Sequence, residues 1–193
     1  MSATQTQIDV DSLLAGSQQE FEKLVIQESP RLFRVIVRML GDDDEARSIM
    51  QETFLQAWQR LDTFRRESKL TTWLYAIGIN LARAELRKAK RMSSLGDQDV
   101  DRMQPSFAKG MFVETPEHWS PEKLTDLADR KQIVHAAIGQ LPSDYKEVIM
   151  LRDIEEMSTD EVADVLGISN GAVRVRLHRA RQTLRELLAS HLS

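Results

Sequence analysis

Three observations predict an all-α protein of two small helical domains joined by a flexible linker. The 193 residues include only five prolines and eight glycines, leucine, arginine and alanine are the commonest residues, and apolar positions recur at helical spacing in both halves. Near the C-terminus, Ser158 followed by Glu161 forms a capping box, Gly167 is suited to end the helix so begun, and a second helix starts at Ser169 or Asn170. Between the halves, 92–121 holds Gly, Ser, Asp and three of the prolines; so long a stretch without a pattern reads as a linker. The expected boundaries are a mobile N-terminus over 1–19, a first domain over 20–92, a linker over 93–121 and a second domain over 122–193. With no cysteine, disulfides, thiolate catalysis and cysteine-held zinc are excluded; with no apolar run of signal-peptide or membrane-span length, a cytoplasmic location is expected.

Within the first domain, Phe21, Leu24, Val25, Leu32, Phe33, Val35, Ile36 and Met39 recur at helical spacing over 20–40, with Pro30 as an interruption or a helix start. Gly41 makes a turn, and the aspartates after it cap the next helix and suit its dipole. That helix, about 44–62, has a core stripe of Ala46, Met50, Phe54, Ala57, Trp58 and Leu61. Its far side carries Ser48, Gln51, Glu52, Leu55 and Gln59, so Leu55 is either a lone surface leucine or part of a partner surface. Residues 63–69 break the pattern and form a loop. A helix from about 71 to 91 follows with two apolar faces, Trp73, Leu74, Ile77, Leu81 and Ala84 on one and Tyr75, Ile79, Ala82 and Leu86 on the other, so it is sandwiched between neighbours. Its exposed strip holds Ala76, Asn80, Arg83 and Arg87. Asn80 carries a donor and an acceptor suited to a base edge, and Phe64 with its loop could wall a pocket beside it; a polar residue satisfied by a neighbouring loop is the alternative.

In the second domain, small Ala163 and β-branched Val173 inside two short helices make a helix-turn-helix. At 100° per residue, Val173, Leu177, Ala180, Leu184 and Leu188 form the buried stripe. The opposite side carries Gly171, Arg174, Val175, His178 and Arg179, with Arg176 and Arg181 at its margins and no acid before Glu186. Guanidinium groups reach phosphates or guanine edges, and an exposed valine packs on a thymine methyl, so this face suits a major groove. The net charge of −4 is no obstacle, because the basic residues cluster over 83–91 and 174–185 while acids concentrate at 42–45 and 97–122. Such a chain binds DNA weakly alone and needs a partner to bind it well.

The motifs Asp44-Glu45-Ala46, Gln51-Glu52-Thr53-Phe54-Leu55-Gln56-Ala57-Trp58, Phe64-Arg65-Arg66-Glu67-Ser68, Thr72-Trp73-Leu74-Tyr75 and Asn80-Leu81-Ala82 resemble region 2 of the extracytoplasmic-function (ECF) sigma factors of bacterial RNA polymerase. Leu141-Pro142, Leu151-Arg152-Asp153 and the helix-turn-helix resemble region 4 of the same family. The resemblance runs from about Glu20 to Leu188 in order and spacing. It implies that Gln51, Glu52, Leu55 and Gln59 dock on the clamp helices of the polymerase β′ subunit. Phe64, Arg65, Lys69 and Asn80 would capture a flipped base of the −10 element, and Arg83, Arg87 and Lys88 would hold the nontemplate strand. Asn170, Gly171, Arg174, Val175, Arg176, His178 and Arg179 would read the −35 element, with the far side of region 4 on the β flap. Core polymerase and promoter DNA are thus the implied partners. An anti-sigma factor that restrains the chain until an envelope or environmental stress, with sequestration at the inner membrane as one form of that restraint, is implied too; no cofactor, metal or small-molecule substrate is.

Three departures from the family pattern bear on promoter choice. Arg66 stands where glycine is frequent, Ala84 where a polar residue is common, and Asn170-Gly171-Ala172 replaces a usual Val-Gly-Thr. The linker aromatics Phe107, Phe112 and Trp119 could pack against the chain's own domains or against an anti-sigma factor. A stand-alone helix-turn-helix regulator is the alternative reading. A response regulator is excluded by the absence of any strand pattern over 1–120, and a helical metalloenzyme by four scattered histidines, His118, His135, His178 and His191, with no Glu-x-x-His. No catalytic constellation is present.

Overall fold

The computed structural model describes residues 7–94, 107–108, 111–112 and 127–189. It is helical almost throughout: α1 (Val10–Leu14), α2 (Gln18–Leu40), α3 (Asp43–Gln59), α4 (Leu70–Ser94), α5 (Leu127–Gly139), α6 (Ser143–Ile149), α7 (Thr159–Leu166) and α8 (Asn170–Ala189). Two-residue strands β1 (Phe107–Ala108) and β2 (Met111–Phe112) pair antiparallel within the expected linker, Phe107 opposite Phe112; Trp119 and most of the linker lie outside the described residues. The chain divides into two compact units, one holding the residues up to Arg91 with Ala163–Gly167, the other the remainder.

From residue 9 onward the chain departs from the mobile lead-in expected over 1–19, of which 1–6 lie outside the described residues. Asp9 caps α1, accepting the Asp11 and Ser12 N–H groups at 3.0 and 3.3 Å, and Leu13 is fully buried. The Asp9 N–H donates to Glu20 Oε2 at 2.9 Å, while the Lys23 ammonium donates to Glu20 Oε1 at 2.6 Å. Five residues are too few for a periodic signal, and one buried leucine anchors them instead. Lys23, then the Asp9 N–H, holds the Glu20 carboxyl below its ordinary value of 4.5. The Ser12 hydroxyl and N–H hold Asp9 below 3.8. Depressed carboxyl values stabilise the folded form above the ordinary values, and that stabilisation is lost as pH falls through the depressed ones. Acidification below about pH 4.5 is therefore expected to release α1 first, seen as loss of amide-exchange protection at Leu13 while α4 stays protected.

Helix α2 runs unbroken through Pro30, against the expected interruption. Proline removes one helical hydrogen bond, but Leu24, Leu32, Val35 and Ile36 are fully buried on either side of it, and their burial outweighs the local cost. Gly41 ends α2 at φ +80°, its N–H donating to the Val37 carbonyl at 2.8 Å. Asp42 then caps α3, accepting the Asp44 and Glu45 N–H groups at 2.9 and 2.8 Å, as the aspartate run predicts. On α3 the buried residues are Ala46, Thr53, Phe54 and Ala57, while Met50 and Trp58 are only half-buried. Thr53 is tolerated inside because its hydroxyl donates to the Ile49 carbonyl at 2.7 Å.

Helix α4 buries Leu74, Tyr75, Ile79 and Ala82, while Trp73, Ile77 and Leu81 are half-buried and Ala84 is exposed, so the second of its two apolar faces is the deeper. Gly78 lets it approach its neighbours: a Cβ there would lie 3.1 Å from Leu32 Cδ1 and 3.2 Å from Thr53 Oγ1. Gly78→Leu is expected to lower stability by about 1–3 kcal/mol through overpacking, read as a fall in the thermal midpoint.

In the second unit, α5, α6 and α8 enclose a cluster of Ala137, Ile138, Leu141, Ile149, Ala180 and Leu187. A π-helical turn, Met150–Ile154, extends α6. The buried stripe of α8 is Val173, Ala180, Thr183 and Leu187, not the predicted row through Leu184 and Leu188. Leu177, Leu184 and Leu188 are partly buried at its edge, because α8 packs on two helices and its apolar face is wider than one row.

Candidate nucleic-acid and polymerase interfaces

The recognition helix is set by its caps. Glu161 N–H donates to Ser158 Oγ at 3.2 Å and Ser158 N–H donates to Glu161 Oε2 at 2.7 Å, the reciprocal capping box that starts α7. Gly167 turns the chain at φ +65°. Ser169 Oγ then accepts the Ala172 N–H at 3.2 Å to start α8, and Asn170 Nδ2 donates to Asp160 Oδ1 at 2.6 Å, tying the start of α8 to that of α7.

Gly171, Arg174, Val175, His178 and Arg179 are all exposed, Val175 at 51%. Residues 171 to 179 span roughly 12 Å along the helix at about 1.5 Å per residue, comparable to the width of the major groove of B-DNA. The margins behave differently. Arg176 is only 28% exposed and pairs with Asp144 at 2.9 Å, so its guanidinium faces α6 and not the open side. This corrects its placement among the groups offered to DNA: an acid distant in sequence claims it. Asn170 is likewise occupied by Asp160. Arg181 meets Asp153 bidentately at 2.9 and 2.6 Å, which raises its already high pKa.

In the first unit, the loop 64–69 and the exposed strip of α4 bring Arg65, Lys69, Asn80, Arg87 and Lys88 to the surface, with Arg83 half-buried. Lys88 pairs with Glu85 at 3.1 Å. Phe64 is 8% exposed, its ring tilted against Trp73 at 5.5 Å, so it supports the loop from beneath and does not wall an open pocket. A buried aromatic pair gains more than a solvated phenyl face would. Arg66 sits at φ +59°, the left-handed region that glycine adopts without strain and arginine does not. The sequence departure at this position thus keeps a backbone suited to glycine and adds a strained, charged side chain to it.

On α3, Gln51, Leu55 and Gln59 are exposed and Glu52 is half-buried, accepting from Gln56 Nε2 at 2.8 Å. Leu55 is 50% exposed. It borders an open groove of about 440 Å³ between α2 and α3, lined by Gln18, Phe21, Glu22, Phe54, Leu55 and Trp58. Phe21 stands edge-on to Phe54 and Trp58, with ring centroids 6.4 and 4.9 Å apart. Periodicity placed Phe21 and Trp58 in the core; their half-exposure shows that they wall this groove. Trp58 is so large that one edge remains at the surface even on a core-facing position.

Comparison with known proteins decides the family. The Sigma-70 region 2 family model matches residues 24–92, and the Sigma-70 region 4 model matches 131–184. Together they cover more than half of the chain. It belongs to the ECF sigma factors of bacterial RNA polymerase.

Among curated relatives, the RNA polymerase sigma-H factor of Pseudomonas aeruginosa is 32% identical to this sigma factor over 97% of the chain and 96% of its own length. The ECF sigma factor SigW of Bacillus subtilis is 32% identical over 90% of the chain and 91% of its own. The ECF sigma-E factor of Escherichia coli strain K12 is 30% identical over 92% and 91%. Two solved structures share the fold: CnrH in complex with the cytosolic domain of CnrY (TM-score 0.64, 27% identity, covering 94% of this chain and 99% of that one) and RpoE from Bartonella quintana in complex with the anti-sigma factor NepR (TM-score 0.62, 27% identity, 89% and 98%). This sigma factor is a transcription initiation factor and not an enzyme, and the stand-alone regulator is set aside. Its partners are core RNA polymerase and promoter DNA. Among the described residues, no helix is long and apolar enough to cross a membrane, and no cluster of acids and histidines could hold a metal ion.

Proposed function

We propose that this sigma factor docks on the β′ clamp helices of core polymerase through Gln51, Glu52, Leu55 and Gln59, with Phe21 and Trp58 extending that surface. It reads the −35 element in the major groove with Arg174, Val175, His178 and Arg179 and holds the melted −10 strand with Arg65, Lys69, Asn80, Arg83, Arg87 and Lys88. Residues 20–92 act as the unit for polymerase and the −10 element, and 122–193 as the unit for the −35 element. The observation that carries the reading is the exposed, acid-free face of α8, whose first turn is fixed by the Ser169 cap. An anti-sigma factor restrains the chain in the cytoplasm until a stress signal arrives, with sequestration at the inner membrane as one form of that restraint; the support is the complex of its structural relative RpoE from Bartonella quintana with the anti-sigma factor NepR.

The test is transcription from a pool of fragments of the source genome by bacterial core polymerase with and without the purified chain. Specific starts whose upstream sequences align into two elements support the reading. Stable binding to core without specific starts removes the promoter assignment, and no binding to core removes the docking surface.

A further inference from the structure

We propose that Arg66 is a further DNA-backbone residue of the −10 loop, and that Asp11 of α1 is a built-in stand-in for the phosphate, which the melted strand must displace; this rests on the promoter reading above. The Arg66 guanidinium donates to Asp11 Oδ1 across more than fifty residues of sequence. Asp11 is no wandering tail residue: α1 is fixed by fully buried Leu13, by the Asp9 cap and by the Asp9–Glu20 hydrogen bond, so the carboxylate is held at the loop. On the other side, Arg66 is held in the left-handed backbone region, and it lies beside Arg65 and Lys69 on the surface where the single strand is read. Both members of the pair are exposed, Arg66 at 51% and Asp11 at 81%, so an incoming anion reaches the guanidinium directly.

A carboxylate and a phosphate offer a guanidinium the same charge and the same paired oxygens. The pair therefore holds the loop formed before DNA arrives. A phosphate that takes Arg66 also repels Asp11, so the exchange is self-reinforcing. Asp11 thereby sets a threshold for any single strand, whatever its sequence: the strand binds less tightly by the strength of the pair it opens.

The experiment uses holoenzyme assembled from the full chain and core polymerase, with fluorescently labelled single-stranded DNA of random sequence as the probe, titrated over a range of salt. Four proteins are compared: wild type, Asp11→Asn, Arg66→Gly and the double variant. Glycine adopts the φ +59° backbone without strain, so Arg66→Gly removes the side chain without forcing the loop into another conformation. Asp11→Asn is expected to tighten binding about two- to fivefold, the usual worth of an exposed ion pair. Arg66→Gly weakens binding and reduces the slope of log affinity against log salt by about 0.7, one phosphate contact. In the Arg66→Gly background, Asp11→Asn has no further effect. An unchanged or weakened Asp11→Asn, an unaltered salt slope in Arg66→Gly, or equal tightening by Asp11→Asn in both backgrounds overturns the latch and leaves the promoter reading standing. Failure of wild-type holoenzyme to bind the probe at all overturns both.

Discussion

Leu55→Asp is expected to abolish assembly with core RNA polymerase while leaving the thermal midpoint of the free chain unchanged. Half of the Leu55 side chain already faces water, so aspartate there disturbs no core. In the docked state the same atoms would be covered beside Phe21, Phe54 and Trp58, an aromatic floor of the kind that concentrates binding energy. A carboxylate placed on that aromatic floor loses its water. Losing one such anchor costs at least about 2 kcal/mol, roughly thirtyfold in affinity, and burying the charge adds to it. Co-purification or competition with a labelled sigma factor reads this out. Normal assembly by a well-folded Leu55→Asp protein would move the polymerase surface elsewhere.

Arg174→Ala and Arg179→Ala are each expected to weaken −35-dependent initiation by about 1–3 kcal/mol, roughly five- to 150-fold, if the guanidinium meets a base edge. The two positions lie more than one turn apart on the exposed side of α8, with Val175 and His178 between them. Arg176→Ala is the internal comparison: its guanidinium is engaged with Asp144, so its removal is expected to cost less at the promoter. Transcription from a promoter carrying both elements, and from one with a scrambled −35 element, separates base reading from charge. If all three variants behave alike on both templates, the face of α8 contributes only field.

What was legible in the chain was whatever is written in short-range chemistry. The capping box at Ser158 and Glu161, the turn at Gly167 and the Asp42 cap of α3 each depend on residues within one turn, and all three appear in the structure. Leu55 was recognisable as an apolar residue on the wrong side of its helix. What was missed depends on partners distant in sequence. Arg176 looked like an outward arginine because nothing near it reveals that Asp144 lies within reach. Pro30 signals a break locally, and only the buried residues on both sides of it keep α2 whole. Helix α1 is too short for periodicity, and its one anchor, Leu13, was indistinguishable from any leucine in a polar tail. Phe64 was placed by the loop it belongs to, whereas its burial is decided by Trp73.

The two ion pairs at the margins of α8 also bear on how the factor searches a chromosome. With Arg176 engaged by Asp144 and Arg181 already holding Asp153, the exposed side of α8 offers, among the described residues, only three unengaged arginines, Arg174, Arg179 and Arg185, to any phosphate it meets. Each phosphate neutralised contributes about 0.9 to the salt slope of duplex binding, so contacts as few as these give little hold on ordinary sequence. A genome offers on the order of a million or more such decoy sites, and a strongly cationic helix would be titrated away by them. On the −35 reading proposed above, so modest a free charge would keep the factor in circulation until polymerase adds the remaining contacts, and the time spent at a site would be decided by the assembled machine and not by the helix alone.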